Sequence, residues 1–426
     1  MMFTEKNVIA VCTYKGVDVS MEKERLYELN KFAANTYYQF LLHSGDKAGI
    51  TYFKQRELMP ETVKKYGLGY APDDWDFMTK TLLKAGFSKE EILASGLGVQ
   101  SKKNPDRMYD FFRSRVMFPI VDLKGDVIGF GGRALDDSTP KYLNSGDTPV
   151  FDKGKNLFSL NHAKKSDAEA LILCEGYMDV ITMNQAGFTE AIATLGTAIT
   201  PDQARLISMY TDKVICAYDN DEAGFKAKKK AVELLSEQGV EVWVLNTRGV
   251  KEKDPDEFIK VHGADAFRNL LGARSESAVE WILRTGQETL DLNTEEGKWE
   301  LADRLVKPLA MLSDAERNLY LTILEQKYDI TFSMTKEQAF SELSVIDADR
   351  PVPHLYDLDP STFIGECGLP ENIVNELGQG GITTVGELLD LSASDMKLFF
   401  DDAETIKELC ELTGTKPDAS HDKSDE

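Results

Sequence analysis

Apolar positions along the 426-residue chain fall into three rhythms. Over residues 22–95 they recur every three or four positions, as at Leu26, Leu29, Phe32 and Ala33 and again at Phe40 and Leu41, which predicts helices. Pro60 suits the first turn of a short helix, and Gly67 and Gly69 read as the break after it. From 114 the period shortens. VMFPIVD (116–122) and VIGFGGR (127–133) predict two strands joined by a Lys124-Gly125-Asp126 turn. Between 169 and 271 the two rhythms alternate. Strands are predicted at 170–174, 190–194, 213–218 and 240–245, with helices at about 178–187, 200–209 and 221–238. This alternation implies an α/β unit with a mostly parallel sheet covered on both faces. Residues 275–345 predict helices again, Pro351 and Pro353 mark a linker, 360–412 predict a run of short helices, and the last dozen residues have the composition of a disordered tail.

Composition narrows the class. Hydrophobic residues make up 42% of the chain, enough for real cores, so wholesale disorder is excluded. No apolar run approaches the roughly 18 residues of a membrane span, and the N-terminus lacks a secretory pattern. The cysteines (Cys12, Cys174, Cys216, Cys367, Cys410) are scattered without a C-x-x-C pair, which argues against both a disulfide framework and a zinc site and for a reducing cytoplasm. The net charge of −23 argues at first against nucleic acid. Its distribution reverses that impression: 341–426 holds 20 acidic and 5 basic residues, whereas 101–165 holds 12 basic and 8 acidic.

Three acidic clusters each follow a strand of the alternating region: EGYMD (175–179), DND (219–221) and DPD (254–256). Open α/β sheets bind ligands at the carboxyl ends of their strands. A single cluster of this kind often only caps the next helix. Three in succession are tolerable together if divalent cations neutralise them, and hard oxygen donors suit magnesium or manganese. In the basic stretch, Arg113, Arg115, Arg133, Lys141, Lys153 and Lys155 supply charge for phosphate, and Tyr142 and Asn144 add stacking or hydrogen bonding. Gly129, Gly131 and Gly132 allow close backbone approach or form a strand bulge.

A Glu after one strand and Asp-x-Asp after a later one resembles the Toprim domain. The finer wording resembles the bacterial replicative primases of the DnaG type. The phrases are RSRVMFPI (113–120), GFGGR (129–133), PKYLNS (140–145), KGKNLF (153–158), EGYMDV (175–180), LGT (195–197), YDNDEAG (218–224) and DPDEF (254–258), in order, and the resemblance covers about 22–345. It implies a metal site of Glu175, Asp179, Asp219, Asp221, Asp254 and Asp256 binding two or more Mg2+ or Mn2+ ions. Asp219, Asp221, Asp254 and Asp256 would hold the metals, and Glu175 would be a general acid or base or a further ligand. It also implies that Arg56 contacts single-stranded template, and that ribonucleoside triphosphates are joined by attack of a primer 3′-hydroxyl with loss of pyrophosphate.

The expected organisation is an extension (1–21), a basic mixed α+β subdomain (22–165), a Toprim domain (166–272), a helical subdomain (273–348), a linker (349–357), a small all-α module (358–413) and a tail (414–426). The family's zinc ribbon is not found, so a separate zinc-ribbon protein, a different mode of initiation, or a fragment is implied. The family's helicase-docking domain is not recognised either. Instead, ITTVGELLDLSASDM (382–396) resembles the helix-hairpin-helix-like C-terminal domain of the RNA polymerase alpha subunit. Its hairpin position, Phe400-Asp401-Asp402-Ala403, is acidic and lacks glycine, so docking of a protein, a separate zinc-ribbon protein or the replicative helicase, rather than duplex binding is expected there. A Toprim nuclease or topoisomerase, and a non-catalytic replication adaptor, remain alternatives. No membrane partner is expected.

Overall fold

The computed structural model describes residues 19–331, apart from 105–106, 137 and 197, together with scattered positions between 369 and 409. The chain divides into two compact units, residues 1–343 and 344–426.

The first unit begins with the long helix α1 (Val19–His43), followed by α2 (Ala48–Gln55) and α3 (Pro60–Lys65). Leu26, Leu29, Ala33, Tyr37 and Leu41 form its buried stripe at three- and four-residue spacing. The stripe covers a four-stranded antiparallel sheet ordered β1-β4-β5-β6: β1 (Gly69–Ala71), β4 (Arg115–Val121), β5 (Val127–Ala134) and β6 (Tyr142–Asn144). β1 stands where the glycines read as a break. Its three residues are too few to show a period, yet all are buried and pair with Met117, Val116 and Arg115. Between β1 and β4 lie α4 (Phe77–Lys84), α5 (Lys89–Ala94) and a two-stranded ribbon of β2 (Gly98–Gln100) and β3 (Met108–Asp110).

After the short α6 (Leu160–Ala163) comes the alternating region. β7 (Leu171–Cys174), α7 (Tyr177–Gln185), β8 (Ala191–Ala193), α8 (Pro201–Ser208), β9 (Lys213–Cys216), α9 (Glu222–Glu237) and β10 (Glu241–Leu245) follow the expected order to within a few residues. The sheet order is β11-β10-β9-β7-β8, with β7 to β10 parallel. The chain steps from β7 to β8 on one side and to β9 on the other, so the order reverses between β7 and β9. Beyond β10, α10 (Pro255–His262) and α11 (Ala264–Arg274) lead into β11 (Ser275–Ser277), an antiparallel strand against Trp243–Leu245. β11 corrects the expectation of helix from residue 275; three polar residues give no strand signal. α12 (Ala278–Thr289), α13 (Glu295–Met311) and α14 (Asp314–Tyr328) complete the described part of this unit.

The two sheets share a core. Val116, Phe118 and Ile120 of β4 join Ile172, Cys174, Tyr177 and Val180 in one hydrophobic cluster. Tyr177 is its centre: its ring stacks on Phe118 (centroids 5.2 Å, 7° between planes) and meets Phe158 edge-on at 4.7 Å. A Cβ on Gly131 would lie 2.6–2.8 Å from three atoms of that ring. Gly129 faces Phe151 and Gly132 faces Phe112 in the same way, so the GFGGR glycines admit aromatic rings to the sheet. The register shift in this pair falls between Ile120 and Val121, beside Gly129.

In the second unit, α15 (Val385–Leu389) is described, and Leu369, Ile373, Leu377, Val385, Leu388, Met396, Phe400 and Leu409 share a small core. The expected extension up to residue 18, the linker at 349–357, the hairpin residues Asp401, Asp402 and Ala403, and the tail lie outside the described residues. No helix among the described residues is long and apolar enough to cross a membrane.

Gly131→Ala should destabilise the protein by about 1–3 kcal/mol through overpacking, whereas Gly146→Ala, with nothing within 4 Å of its Cβ position, should be near neutral. Urea unfolding of the two variants checks this; equal stabilities would remove the ring contact as a constraint.

Candidate active site

β7, β9 and β10 are neighbours in the parallel sheet, and an acidic cluster follows each, the last after the loop 246–253. Glu175 follows β7, Asp219 and Asp221 follow β9, and Asp254 opens α10 after β10. Two of these carboxylates also cap helices. Asp221 accepts the Gly224 N–H at 2.9 Å to start α9, and Asp254 accepts the Glu257 N–H at 2.8 Å to start α10. Capping and a role at the strand ends therefore coexist in the same side chains. Glu175 accepts the Asp219 N–H at 3.1 Å, which ties the end of β7 to the end of β9. Gly224 is required at this point, since a Cβ there would stand 2.2 Å from the Asp219 carbonyl and 2.9 Å from Glu175 Oε1.

The local electrostatics are those of crowded anions. Burial, then the Asp219 charge, holds the Glu175 carboxyl above its ordinary range. Burial also raises Asp254, against the Glu257 N–H that favours its charged form. Asp179, buried in the first turn of α7, is raised furthest, by burial and then by Asp254, Asp219, Asp256 and Glu175. Asp221 goes the other way: the Gly224 N–H, and after it Lys253, lower it. The Lys253 ammonium lies 2.9 Å from Asp219 Oδ2 and 3.4 Å from Asp221 Oδ2. Lys228, depressed by burial, donates to the Asp219 carbonyl at 3.1 Å.

The six expected metal-site residues do not all converge. Among the described residues, no three carboxylates are arranged to hold an ion as they stand. Asp256 is committed elsewhere: it is 3% exposed, Oδ2 pairs with Arg56 at 3.1 Å and Lys260 at 2.7 Å, and Oδ1 accepts from the Thr182 hydroxyl. The other donors fit a hard divalent ion in kind: they are all oxygen, they gather at one sheet edge, and their mutual repulsion raises Glu175 and Asp179.

The basic face divides into free and committed groups. Arg56 and Arg133 both lie over the Tyr52 ring, at 5.6 and 4.6 Å, and with Lys47, Thr51 and Gln55 line a cavity of about 590 Å³. Arg133 Nε is buried there without a partner. Lys141, Lys153 and Lys155 are exposed, and Lys155 lies 3.8 Å from Asp152. Tyr142 is 40% exposed, 6.3 Å from the Tyr177 ring. Two expected contact residues have bonds within the fold. Arg115 is buried and donates to the carbonyls of Gly132, Pro140 and Lys141, so it ties β4 to the turn before β6. Asn144 accepts the Tyr177 hydroxyl at 2.8 Å and donates to the Leu195 carbonyl at 2.8 Å. Arg113 donates to the Asp110 carbonyl and lies 4.3 Å over the ring of Trp75, which is 59% exposed. Trp75 was not expected; a lone Trp in the loop after β1 was its only signal. Lys228, Lys253 and Thr182 were missed as well, because nothing local in sequence links them to the carboxylates they meet; Lys260 was missed although it lies four residues after Asp256 on α10.

Comparison with known proteins agrees with this geometry. The family model "DNA primase catalytic core, N-terminal domain" matches residues 36–164, "Toprim-like" matches 172–259, and "DnaB-helicase binding domain of primase" matches 279–333. The last match falls on α12 to α14, whose amphipathic helices carry no distinctive motif, so it is not recognised from the sequence pattern. A DNA primase of Clostridium acetobutylicum is 36% identical over 344 residues, covering 80% of this chain and 56% of the relative. A DNA primase of Escherichia coli is 33% identical over 351 residues, covering 81% and 59%. The solved DnaG primase catalytic domain bound to single-stranded DNA is 31% identical with a TM-score of 0.64, covering 72% of this chain and all of that one. A DNA primase domain from Pseudomonas aeruginosa is 35% identical, also with a TM-score of 0.64, covering 75% and 99%. The fold is thus a primase catalytic core with a Toprim sheet. This chain belongs to the family of DnaG-type bacterial DNA primases. It spans a little over half the length of the curated relatives it matches.

Arg56 and Asp256 are 200 positions apart and join the two sheet regions. Asp256→Asn should cost about 3 kcal/mol, as expected when one partner of a buried pair is removed. A double-mutant cycle with Arg56→Ala, read by urea unfolding, should show a coupling of about 1 kcal/mol, and additivity within about 0.3 kcal/mol would mean the pair contributes nothing.

Proposed function

We propose that this chain synthesises short RNA primers on single-stranded DNA by metal-dependent nucleotidyl transfer. The observation that carries the reading is the set of carboxylates Glu175, Asp219, Asp221 and Asp254 beyond the carboxyl ends of three adjacent parallel strands. Asp219 and Asp221 are the first candidates to hold Mg2+ or Mn2+, with Glu175 and Asp254 beside them. Divalent ions bound there would stabilise the attacking and leaving oxygens of phosphoryl transfer. Glu175, with its raised proton affinity, is placed to take the proton of a primer 3′-hydroxyl. Asp256 serves by holding Arg56, and Asp179 by adding buried negative charge behind the site. Arg56, Arg133 and Lys47 give the 590 Å³ cavity the charge to hold a triphosphate or the template backbone. Exposed Trp75, braced by Arg113, offers a flat face on which a template base stacks. Lys141, Lys153, Lys155 and Tyr142 extend that surface.

The topoisomerase alternative needs a free tyrosine nucleophile. Tyr177, within the acidic motif, is 4% exposed, its hydroxyl is held by Asn144, and burial pushes its ionisation far above the ordinary range. It does not serve that purpose. A replicative helicase is the proposed protein partner through 279–333, supported by the family match there. The acidic second unit is a further docking module, initiation uses a zinc ribbon supplied by another segment or polypeptide, and the protein works in the cytoplasm.

Ribonucleotide incorporation on a single-stranded DNA circle with Mg2+ or Mn2+ tests the activity. Wild-type protein should make short RNA; Asp219→Asn and Asp221→Asn should each reduce synthesis by at least about a hundredfold, as loss of a principal electrostatic group does. Unreduced synthesis in both would sink the assignment. Trp75→Ala should weaken affinity for oligo(dT) about tenfold, the worth of roughly one stacked base, and leave the salt slope unchanged, whereas Lys141→Ala should reduce that slope. Fluorescence anisotropy at several salt concentrations separates the two effects.

A further inference from the structure

Lys253 sits one residue before Asp254, in the loop between β10 and α10. Its backbone is fixed on both sides: its carbonyl accepts the Asn220 N–H at 2.8 Å, and its own N–H donates to Glu257 at 2.8 Å. Its side chain is 57% exposed and ends between two carboxylates, 2.9 Å from Asp219 and 3.4 Å from Asp221. Among the described residues no other ammonium or guanidinium pairs with either carboxylate; Lys228 reaches only the Asp219 carbonyl. A pinned backbone with an exposed, bridging ammonium describes a cation on a tether.

We propose that Lys253 is a built-in counter-cation that neutralises Asp219 and Asp221 in the ion-free protein and is displaced when a divalent ion binds. This rests on the reading of those carboxylates as metal ligands. Two adjacent anions at the end of one strand repel each other, and Asp221 must stay charged to cap α9. The ammonium relieves that repulsion without burying charge, since its stem stays in solvent. A divalent ion then enters by exchange: the two carboxylate oxygens pass from the ammonium to the ion, and the ammonium swings into water or toward an incoming phosphate. The affinity of the site is therefore set by the difference between two cations rather than by the carboxylates alone.

The test uses Mn2+ alone as probe, without nucleotide or template. Binding is followed by the loss of the free-ion electron paramagnetic resonance signal, and melting temperature is recorded in EDTA. Lys253→Gln should bind Mn2+ about five- to tenfold more tightly, as expected when a competing exposed ion pair is removed, and should melt lower than wild type in EDTA with the gap closing in saturating Mn2+. Lys253→Arg, which keeps the charge, should stay near wild type. Lys251→Gln, an exposed lysine two residues away, controls for general loss of positive charge and should change neither readout. Unchanged or weaker Mn2+ binding by Lys253→Gln, with binding still lost in Asp219→Asn, would overturn the exchange while leaving the metal site standing. Equal Mn2+ binding by wild type and Asp219→Asn would instead remove the metal reading itself.

Discussion

The ring of Tyr177 lies against Gly131 at a distance that leaves no room for a Cβ. That contact joins the antiparallel sheet that carries the cations to the parallel sheet that carries the carboxylates. Because Tyr177 is also the first helical residue after β7, its position fixes where α7 starts and where Glu175 and Asp179 stand on either side of it. The hydroxyl, bonded to Asn144, brings β6 into the same joint. Asn144 in turn holds the Leu195 carbonyl of the loop after β8. One aromatic side chain thus sets the spacing between the two faces of the site, and the glycines of β5 are the condition for its doing so.

Electrostatics then divides labour among residues that look equivalent in sequence. Six carboxylates fall at strand ends, but their surroundings separate them. Asp221 and Asp254 spend one oxygen on helix N-termini; Asp256 is saturated by Arg56, Lys260 and Thr182; Asp179 is buried with its charge disfavoured. The same holds for cations. Arg115 is consumed by three carbonyls, whereas Arg133 keeps a buried nitrogen unpaired toward the cavity. Residue type and motif position alone do not distinguish an anchor from a contact residue; the neighbours do.

The parallel sheet and its acidic edge were legible because both signals are local. β7, β9 and β10 are apolar runs, and a carboxylate cluster follows each, at once after β7, closely after β9 and beyond the loop 246–253 after β10. The short strands were not legible. β1, β2, β3, β6 and β11 have three residues each, too few for a period; β1, β6 and β11 are held by longer partners, and β2 and β3 by each other. The Arg56–Asp256 tie and the Lys253 bridge depend on chain segments brought together only by folding. Trp75 gave no periodic signal at all. The helicase-binding match in α12 to α14 lay in helices whose pattern reads as ordinary packing. The family wording carried further than any physical rule for the carboxylates, but it could not show that Asp256 pairs with Arg56 and Lys260, and the basic stretch did not show that Arg115 and Asn144 bond to backbone carbonyls.

β11 also decides how other chains can approach. It occupies the backbone groups along the far side of β10, while at the opposite edge Phe158 bridges to Ala193 of β8. β11 thus leaves β10 no open flank and becomes the edge strand on that side, with only three residues. A strand added at this flank would meet β11 and not β10, one ladder removed from the strand that leads to Asp254.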